Sequence, residues 1–459
     1  MALGIYISIP FCRTKCSYCN FASDVFSKSA YENYVQRVLE EIANSRALAA
    51  ELGCVLDEPV DSVYLGGGTP SILDGTQLLR LFNAVQEQFS VTPDAEVTVE
   101  CAPGTLTDAL IETLLRAGVN RVSLGVQSFV DQEAQSVGRL HKRSTVLEEV
   151  GRLRRSGLDN INIDLIAGLP HQTAESWTFS LAETIALEAP HASVYMLEVD
   201  EDSRLGRELM AGGARYHAHF VPDDEATADF YVQACETLNR AGIEQYEISN
   251  FARAGRESRH NLKYWTRQPY FGFGVDAHSM LRRDAGLFVT SAAEAADEEA
   301  HLTAALKRCA TQSLTQNPGA GATQSPGSGA TQSPGSDAAH QRPGGEGVRL
   351  ATPDSLDGYM NRLAPIVTAV SSRAAIEESF FLGLRLNRGV DLKDLRAEFT
   401  ADAIAAFGPA IDECEDEGLL EKRGGKARLT ERGRLLSNEV FAKFLVEETK
   451  AGTGHVHPR

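Results

Sequence analysis

Three of the eight cysteines fall together in the stretch CRTKCSYCNF, as Cys12, Cys16 and Cys19, and no other two cysteines stand close. Thiolates at C-x3-C-x2-C spacing bind metal, and two kinds of site could use them. A structural zinc takes four tetrahedral ligands, commonly as two separated pairs, and no second Cys or Cys/His pair follows nearby. An iron–sulfur cluster is held by thiolates. Three close cysteines can hold three corners of a 4Fe-4S cube and leave the fourth iron open to an exchangeable ligand. The spacing favours the cluster, with structural zinc as the alternative. Phe21 stands where a fourth cysteine could have followed. Cys54, Cys101, Cys235, Cys309 and Cys414 are isolated and read as small core or surface residues.

The elements that must position this loop are short strands alternating with longer helical runs over about the first 200 residues. GIYISIP, DSVYLGGG, AEVTVEC, NRVSLGVQ, NINIDLIAGLP and ASVYMLEVD read as six strands. Helical spacing separates them, as in YENYVQRVLEEIANSRALAAEL, near Gln77–Phe89, and over Thr107–Ala117 before the helix-ending Gly118. Six β/α units imply a parallel sheet, either doubly wound or curled as a barrel or partial barrel. The unusual residues fall late in successive units: the cysteines after strand one, GGGT ending strand two, then Glu100, Gln127 and Asp164. Polar residues at the carboxyl ends of barrel strands converge on one mouth, so a barrel is the better reading. The bland alternative makes each an ordinary loop residue.

The glycines Gly66 to Gly68 of YLGGGTPS lack Cβ atoms and let backbone approach a ligand closely. Alone, a glycine triplet is more often a tight turn. Placed after strand two and the cysteine loop, it resembles the amine-binding motif of the radical S-adenosylmethionine (SAM) superfamily, whose cysteine loop has the same C-x3-C-x2-C spacing. Tyr18 matches the aromatic residue usual before the third cysteine. YISIPFC, YLGGGTPS, RVSLGVQSF, NIDLIAGLPHQT and YEISNFA narrow the resemblance to the oxygen-independent coproporphyrinogen III oxidase family. That resemblance implies a 4Fe-4S cluster on Cys12, Cys16 and Cys19. It also implies SAM held by Tyr6, Tyr18, Gly67, Gly68, Thr69, Glu100, Gln127, Arg139 and Asp164. For Asp164 and Arg139 a structural ion pair is the competing reading.

The family has two branches. Its oxidases carry a fourth cysteine in the place of Phe21, while the heme-chaperone branch carries phenylalanine there and an H-N-x-x-Y-W motif. Here that motif is His260, Asn261, Tyr264 and Trp265. The resemblance implies heme as a bound group, with His260 its candidate axial ligand and the two aromatics offering flat surface. Chemistry alone would make a histidine beside aromatics a packed residue. Three functions are therefore weighed: a heme chaperone handing heme to an acceptor protein, an anaerobic coproporphyrinogen dehydrogenase, which Phe21 disfavours, and a zinc-bound regulator. Ser8 departs from the histidine usual in YIHIPFC, and Asp276 from a glycine.

The remaining composition limits the setting. With 63 acidic against 44 basic side chains the net charge is −19, which repels nucleic acid. The N-terminal run reads as no signal peptide, and no stretch reaches the 18 or so apolar residues of a membrane span. The chain therefore reads as cytoplasmic, where a reducing poise makes clustered cysteines metal ligands or redox centres rather than disulfides, and the resemblance adds a reductant for the cluster. The expected organisation is a partial (βα)6 TIM-like radical SAM barrel over 1–250 and a connection carrying the H-N-x-x-Y-W motif over 251–309. A disordered Gly/Ser/Pro/Thr/Gln insertion over 310–350, containing GATQSPGS twice, follows. A mostly helical, winged-helix-like domain over 351–447 and a flexible tail over 448–459 complete it.

Overall fold

The computed structural model describes residues 1–56, 59–198, 203–283 and 347–445. Six strands pair in chain order and in parallel: β1 (Leu3–Ile9), β2 (Val60–Gly67), β3 (Val91–Cys101), β4 (Arg121–Gln127), β5 (Ile161–Ala167) and β6 (His191–Met196). Between them run α1 (Lys28–Glu51), α2 (Gly75–Gln88), α3 (Asp108–Arg116), α4 (Asp131–Ser136), α5 (Arg143–Arg155) and α6 (Ala174–Ala186). This is the expected α/β partial barrel.

The strand sequences explain both faces of the sheet. Successive side chains point to opposite sides. Ile5, Ile7 and Ile9 of β1 are fully buried, as are Val99 of β3, Val122, Leu124 and Val126 of β4, and Ile161, Ile163 and Leu165 of β5. Each such side chain contributes roughly 1.5–3 kcal/mol by leaving water. The alternate positions are Tyr6 and Ser8, Tyr64, Glu100, Ser123, Asn162 and Asp164, and Ser193 and Tyr195, which form a polar inner face. The helices cover the apolar face. The buried residues of α1 include Tyr31, Tyr34, Val35, Val38, Ile42 and Ala49, a helical stripe. The start of α2 is fixed by a capping box in which Asp74 accepts from Gln77 N at 2.9 Å while the Gln77 amide oxygen accepts from Asp74 N at 3.1 Å.

The sheet does not stop at six strands. After α7 (Arg204–Met210) and α8 (Asp224–Arg240) come β7 (Glu244–Gln245), β8 (Asn250–Ala252), α9 (Arg259–Trp265), β9 (Tyr270–Phe273) and β10 (His278–Arg282). β11 (Gly347–Ala351) and β12 (Ile366–Val370) follow. The strand order is β12-β11-β10-β9-β1-β2-β3-β4-β5-β6-β8-β7. β9 joins β1 in parallel, while β10, β11 and β12 add antiparallel pairs. These extensions correct the range boundaries read from sequence. Gly347–Leu350, inside the range read as insertion, pair with Leu281 and its neighbours in β10, because Val348 and Leu350 alternate as buried strand residues. β12, inside the range read as the C-terminal domain, belongs to the large sheet. The rest of the insertion and the tail over 448–459 lie outside the described residues.

Beyond β12 a second core gathers on Phe380, Phe407 and Phe444, whose rings stack at centroid distances of 5.0 and 4.9 Å about Phe380. Its helices include Ser372–Leu384, Leu392–Glu398 and Gly408–Asp416. A hairpin of β14 (Leu420–Arg423) and β15 (Lys426–Leu429) turns at Gly424 and Gly425 and pairs with β13 (Val390–Asp391). This is the helix-and-wing arrangement the sequence suggests. Arg385 docks it on the barrel, 3.2 Å from the fully buried carboxylate of Glu247.

Candidate functional site

The cysteine loop leaves β1 and is tied down on every side. Cys12 N donates to Asp24 O at 3.0 Å and Ser17 N to Val137 O at 3.1 Å. Thr14 Oγ1 donates to Gly138 O at 3.0 Å. Lys15 Nζ donates to Phe21 O at 2.7 Å and Ser23 O at 2.6 Å, closing the turn that carries Phe21. Among the described residues, no three His, Cys, Asp or Glu side chains come together as the ligand set of one ion. The thiols of Cys12, Cys16 and Cys19 are instead spread along the wall of one cavity of about 1030 Å³, the donor set an iron–sulfur cube takes. Each has a polar neighbour of the kind that tunes such a cluster: Thr69 Oγ1 at 3.7 Å from Cys12 Sγ, Arg139 Nη1 at 3.8 Å from Cys16 Sγ, and Ser23 Oγ at 3.9 Å from Cys19 Sγ.

The end of β2 lies directly on this loop, which its glycines permit. A Cβ on Gly68 would sit 2.8 Å from Phe11 O and 3.1 Å from Cys12 Sγ, and Gly67 has φ +102°. Gly68 N donates to Ile9 O and Thr69 N to Phe11 O, both at 2.8 Å, and Gly67 N donates to Glu100 Oε2 at 3.1 Å. These N–H groups are taken by the protein. What the turn can still offer a ligand is carbonyl oxygen, which suits an ammonium.

Every residue the sequence assigns to SAM lines the same cavity as the thiols. Glu100 accepts from Tyr64 OH at 2.8 Å as well as from Gly67. Burial, then the nearby charge of Asp164, pushes its carboxyl up to about 7. Burial also raises Asp164, against hydrogen bonds from Asn162 Nδ2 at 2.6 Å and Ser123 Oγ at 3.2 Å. Gln127 reaches the cavity from a positive φ of 69°, just after a register shift between Gly125 and Gln127, the kind of irregularity that re-aims a side chain. Arg139 donates through Nη2 to Gly125 O, while its buried Nε has no partner. That orphan donor, two half-buried carboxylates and a carbonyl-bearing turn fit an amino acid carrying both charges. The thiols and these groups therefore fit a cluster with SAM beside it.

The H-N-x-x-Y-W motif occupies α9, whose N-terminus is capped by Ser258 Oγ accepting from Asn261 N at 3.3 Å. Its four residues go four ways. His260 is 1% exposed and lines neither cavity. Its Nδ1 lies 3.0 Å from Ser62 Oγ and its Nε2 2.8 Å from Tyr264 OH. Burial, then Lys263, holds the imidazole down to about 3, and so neutral. Asn261 lines the large cavity. Tyr264 lines a second cavity of about 290 Å³ together with Tyr6, Ser8, Phe21, Tyr270, Asp276 and His278. Trp265 lies under the Arg385 guanidinium, 4.2 Å from ring centroid to charge, so its face is already covered by the C-terminal domain. A heme iron could reach His260 only after a bond to Ser62 or Tyr264 is given up. Phe21 is 62% exposed and lines both cavities.

Several site residues escaped the sequence reading. Tyr64, Ser123, Asn162 and Ser193 line the cavity and orient Glu100 and Asp164. The signal was available, since each is the polar member of an otherwise apolar alternating strand. His191 continues the network, with Nδ1 at 2.6 Å from Asn162 Oδ1 and Nε2 at 3.0 Å from Tyr246 OH. Arg385, Arg432 and Asn438 of the C-terminal domain also face the large cavity, and no local pattern in the chain marks them.

The chain matches the radical SAM superfamily over residues 6–181 and the HemN C-terminal domain over residues 370–436. It is 31% identical over 449 residues to heme chaperone HemW of Bacillus subtilis (strain 168), spanning 96% of this chain and 99% of that one. To heme chaperone HemW of Escherichia coli (strain K12) it is 35% identical over 280 residues, 61% of this chain and 70% of that one. Among solved structures, coproporphyrinogen III oxidase (HemN) from Escherichia coli superposes with a TM-score of 0.71 over 96% of this chain and 90% of that chain, at 20% identity. That last likeness is one of fold.

Proposed function

The chain belongs to the heme chaperone HemW family, a branch of the radical SAM superfamily, and from that premise we propose how its residues divide the work. It is a heme chaperone whose cofactors are a 4Fe-4S cluster and SAM and whose cargo is heme. In our reading Cys12, Cys16 and Cys19 hold three irons of the cube. When bound, such a cluster would supply electrons to SAM held beside it. Glu100 and the carbonyls of the Gly67–Gly68 turn receive the cationic end of SAM, Arg139 the anionic end, and Asp164 and Gln127 the ribose hydroxyls. Burial among these groups excludes water and holds them in place before the ligand arrives.

Heme, in this reading, sits in the neighbouring cavity between Phe21, Tyr264 and Tyr270, beside the wall that both cavities share. The observation carrying the proposal is that Phe21, the residue in the place of the oxidases' fourth cysteine, lines both spaces. A phenylalanine there cannot supply the thiol of the oxidase branch and offers apolar surface to a porphyrin instead. We further propose that heme passes to an acceptor protein, that a reductant charges the cluster, and that the compartment is the cytoplasm. Every described cysteine is a free thiol, which suits a reducing setting. No helix among the described residues is long and apolar enough to cross a membrane.

The test is anaerobic. Reconstituted protein given reductant, SAM and coproporphyrinogen III should form no protoporphyrinogen, yet take up heme and release it to an apo-hemoprotein. Turnover of the porphyrinogen would overturn the chaperone reading.

A further inference from the structure

The cavity assigned to heme contains a donor better placed than the histidine of the motif. Tyr264 lines it and His260 does not. The phenol oxygen of Tyr264 and Nε2 of His260 are 2.8 Å apart, one turn along α9, with the two rings perpendicular at 5.2 Å. Behind the imidazole, Nδ1 meets Ser62 Oγ at 3.0 Å, and the rings of Tyr6 and Tyr64 stack on it at 6.2 and 5.3 Å. The histidine is thus a fixed base bonded to the phenol of a cavity-lining tyrosine. Tyrosinate is an established axial ligand of ferric heme.

We propose that Tyr264, through its phenolate oxygen, is the axial ligand of ferric heme in this protein, and that His260 acts through it as a positioning residue. The inference rests on the heme-carrying reading above. On binding, the O–H bond of Tyr264 breaks and an Fe–O bond forms, while the phenol proton passes to His260 Nε2. The imidazole then donates twice, to the phenolate oxygen through Nε2–H and to Ser62 Oγ through Nδ1–H, so no partner is lost. Without iron this transfer is uphill, since burial raises the phenol and lowers the imidazole. The ferric ion reverses that balance, as bound cations do for their ligands. Asp276 and the exposed imidazole of His278 line the same cavity, and His278 is the rival donor.

The experiment is a ferric heme titration of the full chain followed by absorption, EPR and resonance Raman spectra. Wild type is compared with Tyr264→Phe, His260→Ala and His278→Ala. Cluster absorbance, which arises in the other cavity, reports that each variant is folded. Wild type should give a phenolate-to-iron charge-transfer band and an iron–phenolate stretch. Tyr264→Phe should abolish both and weaken heme binding by at least about tenfold. His260→Ala should keep the iron–phenolate stretch but shift it, with a smaller loss of affinity. An unchanged spectrum in Tyr264→Phe would overturn the ligand assignment while leaving heme carriage intact. Loss of the axial-ligand signature only in His278→Ala would do the same. Failure of wild type to bind heme at all would overturn the carrier reading and this inference with it.

Discussion

The two cavities differ in how their residues reach them. The large one is built by the repeat of the fold. Each parallel strand turns its polar alternate residues inward, so Tyr6, Glu100 and Asp164 meet the cysteine loop through the repeat alone, while Gln127 joins them through the register shift at the end of β4. The small one is built by long-range closure. Tyr264 and Tyr270 arrive through α9 and β9, which the chain sets against β1 only after some 260 residues, and Phe21 reaches them from the cysteine loop. The difference teaches that a repeated strand pattern tells where its side chains go, whereas a motif on a short helix only names residues that matter. His260, Asn261, Tyr264 and Trp265 are adjacent in sequence and face four different surroundings.

The widest separation of the two regions should come from the thiols. Replacing Cys12, Cys16 and Cys19 together by alanine should reduce cluster iron and sulfide to background. The heme spectrum should persist, because no thiol lines the smaller cavity. Loss of both groups would merge what the structure separates.

Next in size is Arg385→Ala. The guanidinium faces the fully buried Glu247 carboxylate and covers Trp265. Removing one partner of such a pair should cost about 3 kcal/mol, read by denaturant unfolding, with Arg385→Lys recovering part of it. An effect within ~0.5 kcal/mol, typical of surface substitutions, would mean that the C-terminal domain is not docked through this contact.

A smaller effect belongs to Glu100. Its carboxyl is raised to about 7 by burial and by Asp164, and a cationic ligand needs the ionised form. SAM affinity should therefore rise as pH increases from below 7 to above it, with a proton released on binding below that point. The rise is about tenfold per unit at most on the acid side and levels off above the pKa. Glu100→Gln should flatten the profile in calorimetric titration. A wild-type profile falling with pH would contradict the assignment.

The mildest change is Phe21→Ala. Losing part of one aromatic contact should weaken heme binding by about 1–2 kcal/mol, with SAM affinity altered less. A larger loss for SAM than for heme would assign Phe21 to the other cavity.

Much of this was legible in the chain because local chemistry and fold agree. The C-x3-C-x2-C loop follows a strand with unmistakable alternation, and GGGT has to lie against it because only glycine allows a Cβ-free approach at Gly68. The alternation of Ser123, Asn162 and Ser193 was equally readable. Each is the polar member of a strand whose alternate residues are buried and apolar. β7 to β12 are not legible, being two to five residues long, and β8 and β9 join the sheet through β6 and β1, which lie far from them in the chain. The surroundings of His260 are hidden in the sequence for a related reason. A sequence gives the i and i+4 spacing of His260 and Tyr264 but not which of the two faces the cavity. The stacked rings of Tyr6 and Tyr64 fix the imidazole, and they come from strands about 250 and about 200 residues away in the chain.

In the proposed function, cluster-bound SAM and heme occupy separate, adjoining cavities. Anaerobic calorimetric titration of SAM into cluster-reconstituted protein, with and without one equivalent of heme already bound, tests this. We predict that heme changes SAM affinity by less than about tenfold and that both ligands reach one per chain together. Mutual exclusion, with heme displacing SAM from the cluster, would contradict it and place heme in the larger cavity.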